Sequence, residues 1–98
     1  MRRRGEGGAV AVTAGDEAQG AERLTVDARG LACPLPVLRL AAAARGATTG
    51  TVVTVLWTDP AAAYDVPAWV RMRGHRLVEP PRTDEDGTGR AVVRLVGR

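Results

Sequence analysis

The chain is expected to fold as an α+β domain, a two-layer sandwich in which two helices pack on one face of a four-stranded mixed sheet, ordered β-α-β-α-β-β. Three observations lead there. Thr51-Val52-Val53-Thr54-Val55-Leu56-Trp57 is a near-continuous apolar, β-prone run, the pattern of an interior strand. Val37, Leu38, Leu40, Ala41 and Ala44 fall at helical spacing just upstream of it. The packable part of the chain, residues 23–98, suffices for one layer of helices on one sheet and is too short for two domains.

Element by element, Leu24-Thr25-Val26-Asp27-Ala28 alternates apolar and polar side chains, as a half-buried strand does. Arg29-Gly30 turns the chain. Pro34 suits a first helical position, where a missing N–H costs nothing, Pro36 still lies inside the first turn, and Gly46 closes that helix. Thr58-Asp59-Pro60 ends the central strand, with Asp59 expected to cap a short turn over residues 61–63. A second helical start is expected at Asp65-Val66-Pro67, with Asp65 as its cap and Val66, Trp69 and Val70 on one face, up to Gly74. His75-Arg76-Leu77-Val78-Glu79 reads as the third strand, ended by Pro80-Pro81. Residues 83–89 form a hairpin-like loop, and residues 90–96 the last strand. One sheet face is left partly solvated, as Thr25, Thr54, Arg76 and Arg94 suggest.

Residues 1–22 are rich in Gly, Ala and charge and are expected to be a disordered tail, with the folded domain spanning residues 23–98. Met1-Arg2-Arg3-Arg4 has the charge of a signal-peptide start, but residues 9–14 are too short and weakly apolar to continue one, and Asp16-Glu17 interrupts at once. All 14 basic residues are arginine. Outside residues 1–22, eleven arginines face seven carboxylates, which favours acidic partners only weakly and is poor support for nucleic-acid binding. No long apolar span points to a membrane. One cysteine excludes an intramolecular disulfide, a Cys-x-x-Cys couple and any multi-cysteine metal site, so no metal or cofactor is expected and a reducing, cytoplasmic setting is.

That cysteine, Cys33, lies after a strand-like run and before a helix-like one. A helix N-terminus gathers unpaired N–H groups and the positive end of the helix dipole, so a thiol there is expected to be driven toward thiolate, with Arg29 beside it and Pro34 and Pro36 stiffening the turn. A small buried hydrophobe is an equally good reading of a free cysteine from position alone.

Residues 24–38, Leu-Thr-Val-Asp-Ala-Arg-Gly-Leu-Ala-Cys-Pro-Leu-Pro-Val-Leu, resemble the opening of the TusA/SirA-like sulfurtransferases, small sulfur-carrier proteins with a Cys-Pro-x-Pro motif. Thr58-Asp59-Pro60, then Asp65-Val66-Pro67-Ala68-Trp69, then Gly74-His75-Arg76-Leu77 match the family's second block. The resemblance covers about residues 23–96. It implies that Cys33 accepts sulfane sulfur as a persulfide from a cysteine desulfurase or another persulfide-bearing protein and relays it to an acceptor protein. Relatives feed tRNA thiolation, molybdenum-cofactor maturation and dissimilatory sulfur metabolism. Some carry an additional cysteine near the position of Trp69 or Val70; this chain has none, which closes any route through an internal resolving thiol.

Around Cys33 the expected supporting residues are Arg29, Gly30, Pro34 and Pro36, with Arg39 and Arg45 as more distant candidates for a docking rim. Asp59 and Asp65 are read as structural caps. His75, the sole imidazole, has two readings, a base for Cys33 or a residue packed beside Trp69. Trp57 and Trp69 are expected to build a core that has no Phe. The chain is expected to be monomeric. Two other function classes stay open: an RNA-binding module, which the lack of an aromatic stacking pair disfavours, and a thiol-based regulatory adaptor forming a mixed disulfide with its partner.

Overall fold

The computed structural model describes residues 22–96; the expected tail, apart from Glu22, lies outside the described residues. The elements are β1 (Arg23–Ala28), α1 (Leu35–Arg45), β2 (Val52–Trp57), α2 (Ala62–Arg73), β3 (Arg76–Thr83) and β4 (Gly89–Arg94). They build the expected α+β sandwich. The sheet order is β1-β2-β4-β3, with β1 parallel to β2 and both other pairings antiparallel. The parallel pair needs a crossover, and α1 supplies it.

Strand alternation sets the core. Val26, Val53, Val55, Trp57, Ala91, Val93 and Leu95 are buried and cluster with Leu40 of α1 and Val66, Trp69 and Val70 of α2. Thr25, Arg76 and Arg94 are exposed, as the partly solvated face requires, and Thr54 is half-buried. Both tryptophans build the core, and Tyr64 sits on α2, so the open sheet face presents none of the chain's three aromatic residues. The stacking platform of an RNA-binding sheet is missing. Trp57 is opposite Gly89 in the register, and a Cβ at Gly89 would overlap the Trp57 indole. No helix among the described residues is long and apolar enough to cross a membrane.

Three local expectations are corrected. β3 does not stop at Pro80-Pro81 but runs on to Thr83. It is the edge strand, and its register shifts twice, between Leu77 and Glu79 and between Glu79 and Arg82. Prolines lose no ladder bond where residues bulge away from the neighbouring strand. α2 is one helix with Pro67 inside it, not a short turn followed by a second start. Its first turn is already closed by Ala63, Tyr64 and Asp65 N–H groups bonded to Pro60 and Ala61 carbonyls, and the amide Pro67 lacks would have served only the Ala63 carbonyl, in that first turn. Pro34 stands outside α1 as its N-cap residue rather than at the first helical position, and its peptide bond to Cys33 is cis.

Candidate functional site

The segment between β1 and α1 carries Cys33 on the surface of the domain. Gly30 turns with φ of 83°, a left-handed backbone that side chains rarely tolerate. Its N–H donates to Thr58 Oγ1 at 2.8 Å, and the Cys33 N–H donates to Asp59 Oδ2 at 2.9 Å. The other oxygen of Asp59 accepts the Ala61 N–H at 3.0 Å. The loop that follows β2 therefore pins the loop that follows β1 at two points. The side chain of Cys33 is half-buried against the core cluster, Pro36 is buried, and Pro34 and Leu35 are exposed.

The electrostatics differ from expectation. Burial pushes the Cys33 thiol up to about 11; a hydrogen bond to Asp65 and the negative charges of Asp65 and Asp59 act in the same direction. Cys33 rests as a thiol, not a thiolate. The reasons are visible in the first turn. Pro34 and Pro36 have no N–H, the Leu35 N–H is bonded to Ala32 O at 2.9 Å, and the amide of Cys33 is held by Asp59. The amides at positions 34 and 36 are absent, and those of Cys33 and Leu35 are occupied.

Arg29 does not supply the missing cation. Its guanidinium grips Asp27 with two bonds, Nε to Oδ1 at 2.8 Å and Nη2 to Oδ2 at 2.7 Å, and its backbone N–H adds a third to Oδ1 at 3.2 Å. That grip holds the Asp27 carboxyl down at about 2. Asp59 accepts the Ala61 N–H, as a cap for the turn over residues 61–63 does, whereas Asp65 does not start a second helix. Ala61 is the N-cap residue of α2, Asp59 lies two residues before it, and Asp65 lies inside the first turns, where its half-buried side chain reaches the thiol. Accepting the Cys33 amide holds the Asp59 carboxyl below its usual range, with the Ala61 amide adding to this. Sequence reading missed Thr58 as a partner of Gly30 and Asp65 as a partner of Cys33; their signal was that both belong to the family's second block.

His75 packs beside Trp69, with ring centroids 4.9 Å apart, and its Nδ1 accepts the Val96 N–H at 2.9 Å. The alternative reading, a base for Cys33, is overturned by topology. The Cys33 loop is fixed to the segment after the C-terminal end of β2. His75 leads into Arg76, which pairs with Arg94, which pairs with Val52 at the N-terminal end of β2. The six residues of β2 lie between them, about 17 Å at the usual strand rise. A cavity of about 560 Å³ holds His75 at that far end, between the last turns of α1 and α2, with Arg45 and Arg73 at its rim. Arg45 is therefore at the opposite end from Cys33 as well. Among the described residues, no group of three or more His, Cys, Asp or Glu side chains comes together to hold a metal ion.

Residues 24–95 match the family model described as Sulfurtransferase TusA. A putative sulfur carrier protein from Archaeoglobus fulgidus is 42% identical over 71 residues, covering 72% of this chain and 91% of the relative. The sulfur carrier protein TusA of Allochromatium vinosum is 39% identical over 54 residues, covering 55% of this chain and 71% of the relative. Among solved structures, the SirA-like protein from Desulfitobacterium hafniense superposes with a TM-score of 0.65 at 25% identity, covering 76% of this chain and 99% of that one.

Proposed function

The chain belongs to the TusA sulfurtransferase family, and from that premise we propose that it carries sulfane sulfur on Cys33 and relays it from a donor protein to an acceptor protein. The observation that carries the reading is the placement of the chain's sole thiol on a surface loop that the Thr58-Asp59 segment holds in one position. A carrier must let two different proteins reach the same sulfur atom, and a half-buried thiol between an exposed alanine and an exposed proline meets that need.

In the loading step the Cys33 sulfur bonds to the terminal sulfur of a donor persulfide. The donor's S–S bond breaks with its electron pair going to the donor cysteine, which takes the proton that Cys33 gives up. The net change is Cys33–SH plus donor–S–SH to Cys33–S–SH plus donor–SH, with no external oxidant. Unloading is the same exchange with the acceptor as nucleophile. With no second cysteine, the chain has no internal thiol to displace the sulfur as a disulfide, so release waits for a partner.

The test is intact mass after incubating the full chain with a cysteine desulfurase and cysteine. Wild type is expected to gain one sulfur atom, removable by a thiol reductant, and Cys33→Ser none. Equal gain in both proteins would sink the reading. A donor-dependent disulfide-linked conjugate in place of the persulfide would point instead to the thiol adaptor.

A further inference from the structure

The sheet face that the helices leave open gathers more charge than the modest balance of arginines over acids suggests. Paired residues share a sheet face, and the register sorts this one into three rungs. Arg23, Val52, Arg94 and Arg76 form the first. Thr25, Thr54 and Val92 form the second, with Glu79 opposite Val92. Asp27, Leu56, Arg90 and Arg82 form the third. Five of the eleven arginines outside residues 1–22 therefore stand on one face. The two carboxylates in these rungs do not neutralise them. Asp27 is bound by Arg29, and among the described residues no ion pair joins Glu79 to an arginine.

Two features of this face are unfavourable in the free domain. β3 and β4 twice set like charges directly opposite one another, Arg76 against Arg94 and Arg82 against Arg90, an arrangement that costs stability. The Nε of Arg90 is buried and meets no acceptor among the described residues. Carboxylates brought from outside relieve both, and guanidiniums grip a carboxylate through two parallel bonds. Between the two arginine pairs lies an apolar step: along β4 the face reads Arg90, Val92, Arg94, at about 6.7 Å per step, twice the usual strand rise.

We propose that the open sheet face is a docking site for an acidic, extended segment of a partner protein, in which carboxylate and apolar side chains alternate so that two acids meet the two arginine pairs and the residue between them packs on Val92. An extended segment has the required period, since alternate side chains share a face at the spacing of the rungs. Leu56 and Thr54, half-buried beside the arginines, widen the apolar step. A nucleic-acid backbone matches the charge but not that step, and the face presents no aromatic ring for its bases. The surface lies across the sheet from the helices, and the inference stands whether or not Cys33 bears sulfur.

The test titrates the full chain at physiological salt with a twelve-residue peptide alternating Glu and Val, followed through the backbone amide shifts by NMR. Shifts are expected to concentrate on Thr25, Thr54 and Val92 rather than on α1 and α2. Arg90→Gln/Arg94→Gln, which removes one arginine from each opposed pair, should weaken binding about tenfold, and Arg39→Gln, exposed on the helix layer, should change it less than about twofold. In wild type 1 M salt should abolish most of the binding. Shifts confined to the helices overturn the proposal, as does equal affinity in wild type and the double variant, or wild-type binding that salt does not move. Tighter binding of a twelve-base-pair RNA duplex than of the peptide, at the same salt, also overturns it and makes the face a phosphate surface. The shift map, the salt response and the RNA comparison are all read on wild type, so the outcome does not depend on a variant folding.

Discussion

The backbone amide of Cys33 and the carboxylate of Asp59, 26 residues apart in sequence, meet at 2.9 Å. The same carboxylate accepts the amide of Ala61, where α2 begins, and so joins the Cys33 loop to the start of that helix. A single side chain thus sets the position of the sulfur relative to the helix that carries Asp65.

Removing that carboxylate should register as lost stability. Asp59→Ala leaves the Cys33 and Ala61 amides without their partner and is expected to lower stability. Urea denaturation should show the midpoint falling with an unchanged slope. Asp59→Asn, which keeps one carbonyl oxygen, should lose less. A midpoint for Asp59→Ala equal to wild type would contradict the joint.

The thiol should titrate late. Alkylation of Cys33 by iodoacetamide is expected to rise with pH to an inflection near 11, above the ordinary thiol value of 9.0. Stability follows with a definite sign. The folded state raises the pKa, so it favours the protonated form; that contribution is fully present below pH 9.0 and is lost as pH rises through about 11. The difference in unfolding free energy between wild type and Cys33→Ser should therefore be flat at neutral pH and shrink across that window. An inflection below 9.0 would contradict the buried, carboxylate-flanked setting of the thiol.

Gly89→Ala should be among the most damaging single-methyl changes in the chain. The added Cβ falls on the Trp57 indole, which is 2% exposed and has core neighbours on its other sides. Overpacking of this kind costs about 1–3 kcal/mol. Gly46→Ala, whose added Cβ meets only the Ala43 carbonyl at 4.0 Å, serves as the comparison and should change the thermal midpoint little. Equal midpoints for the two variants would mean that the sheet yields around Trp57 without cost.

The order of elements and their packing faces were readable because each strand and helix of the core declares its period: Val53, Val55 and Trp57 alternate, and Val66, Trp69 and Val70 recur at helical spacing. Edge β3 was cut short because Pro80-Pro81 forbids a central strand and says nothing against a bulged edge. The location of Cys33 before a helix was legible; its acidity was not. Local sequence showed a helix start, whereas the burial that raises the thiol comes from the packed domain, and the carboxylates that add to it, Asp65 and Asp59, arrive from more than two dozen residues away. Capping preference offered each of them a sufficient local role, which concealed the tertiary one.

The two pins on the Cys33 loop also impose an order in time. Thr58 and Asp59 are added to the growing chain 28 and 26 residues after the glycine and cysteine they hold, and Asp65 comes later still. A nascent chain exposes Cys33 as an ordinary loop thiol, with ordinary acidity, until β2 and the first turn of α2 have emerged and docked. Only then do burial and the two carboxylates act together on the sulfur, so its reluctance to ionise belongs to the docked domain and not to the segment that bears it.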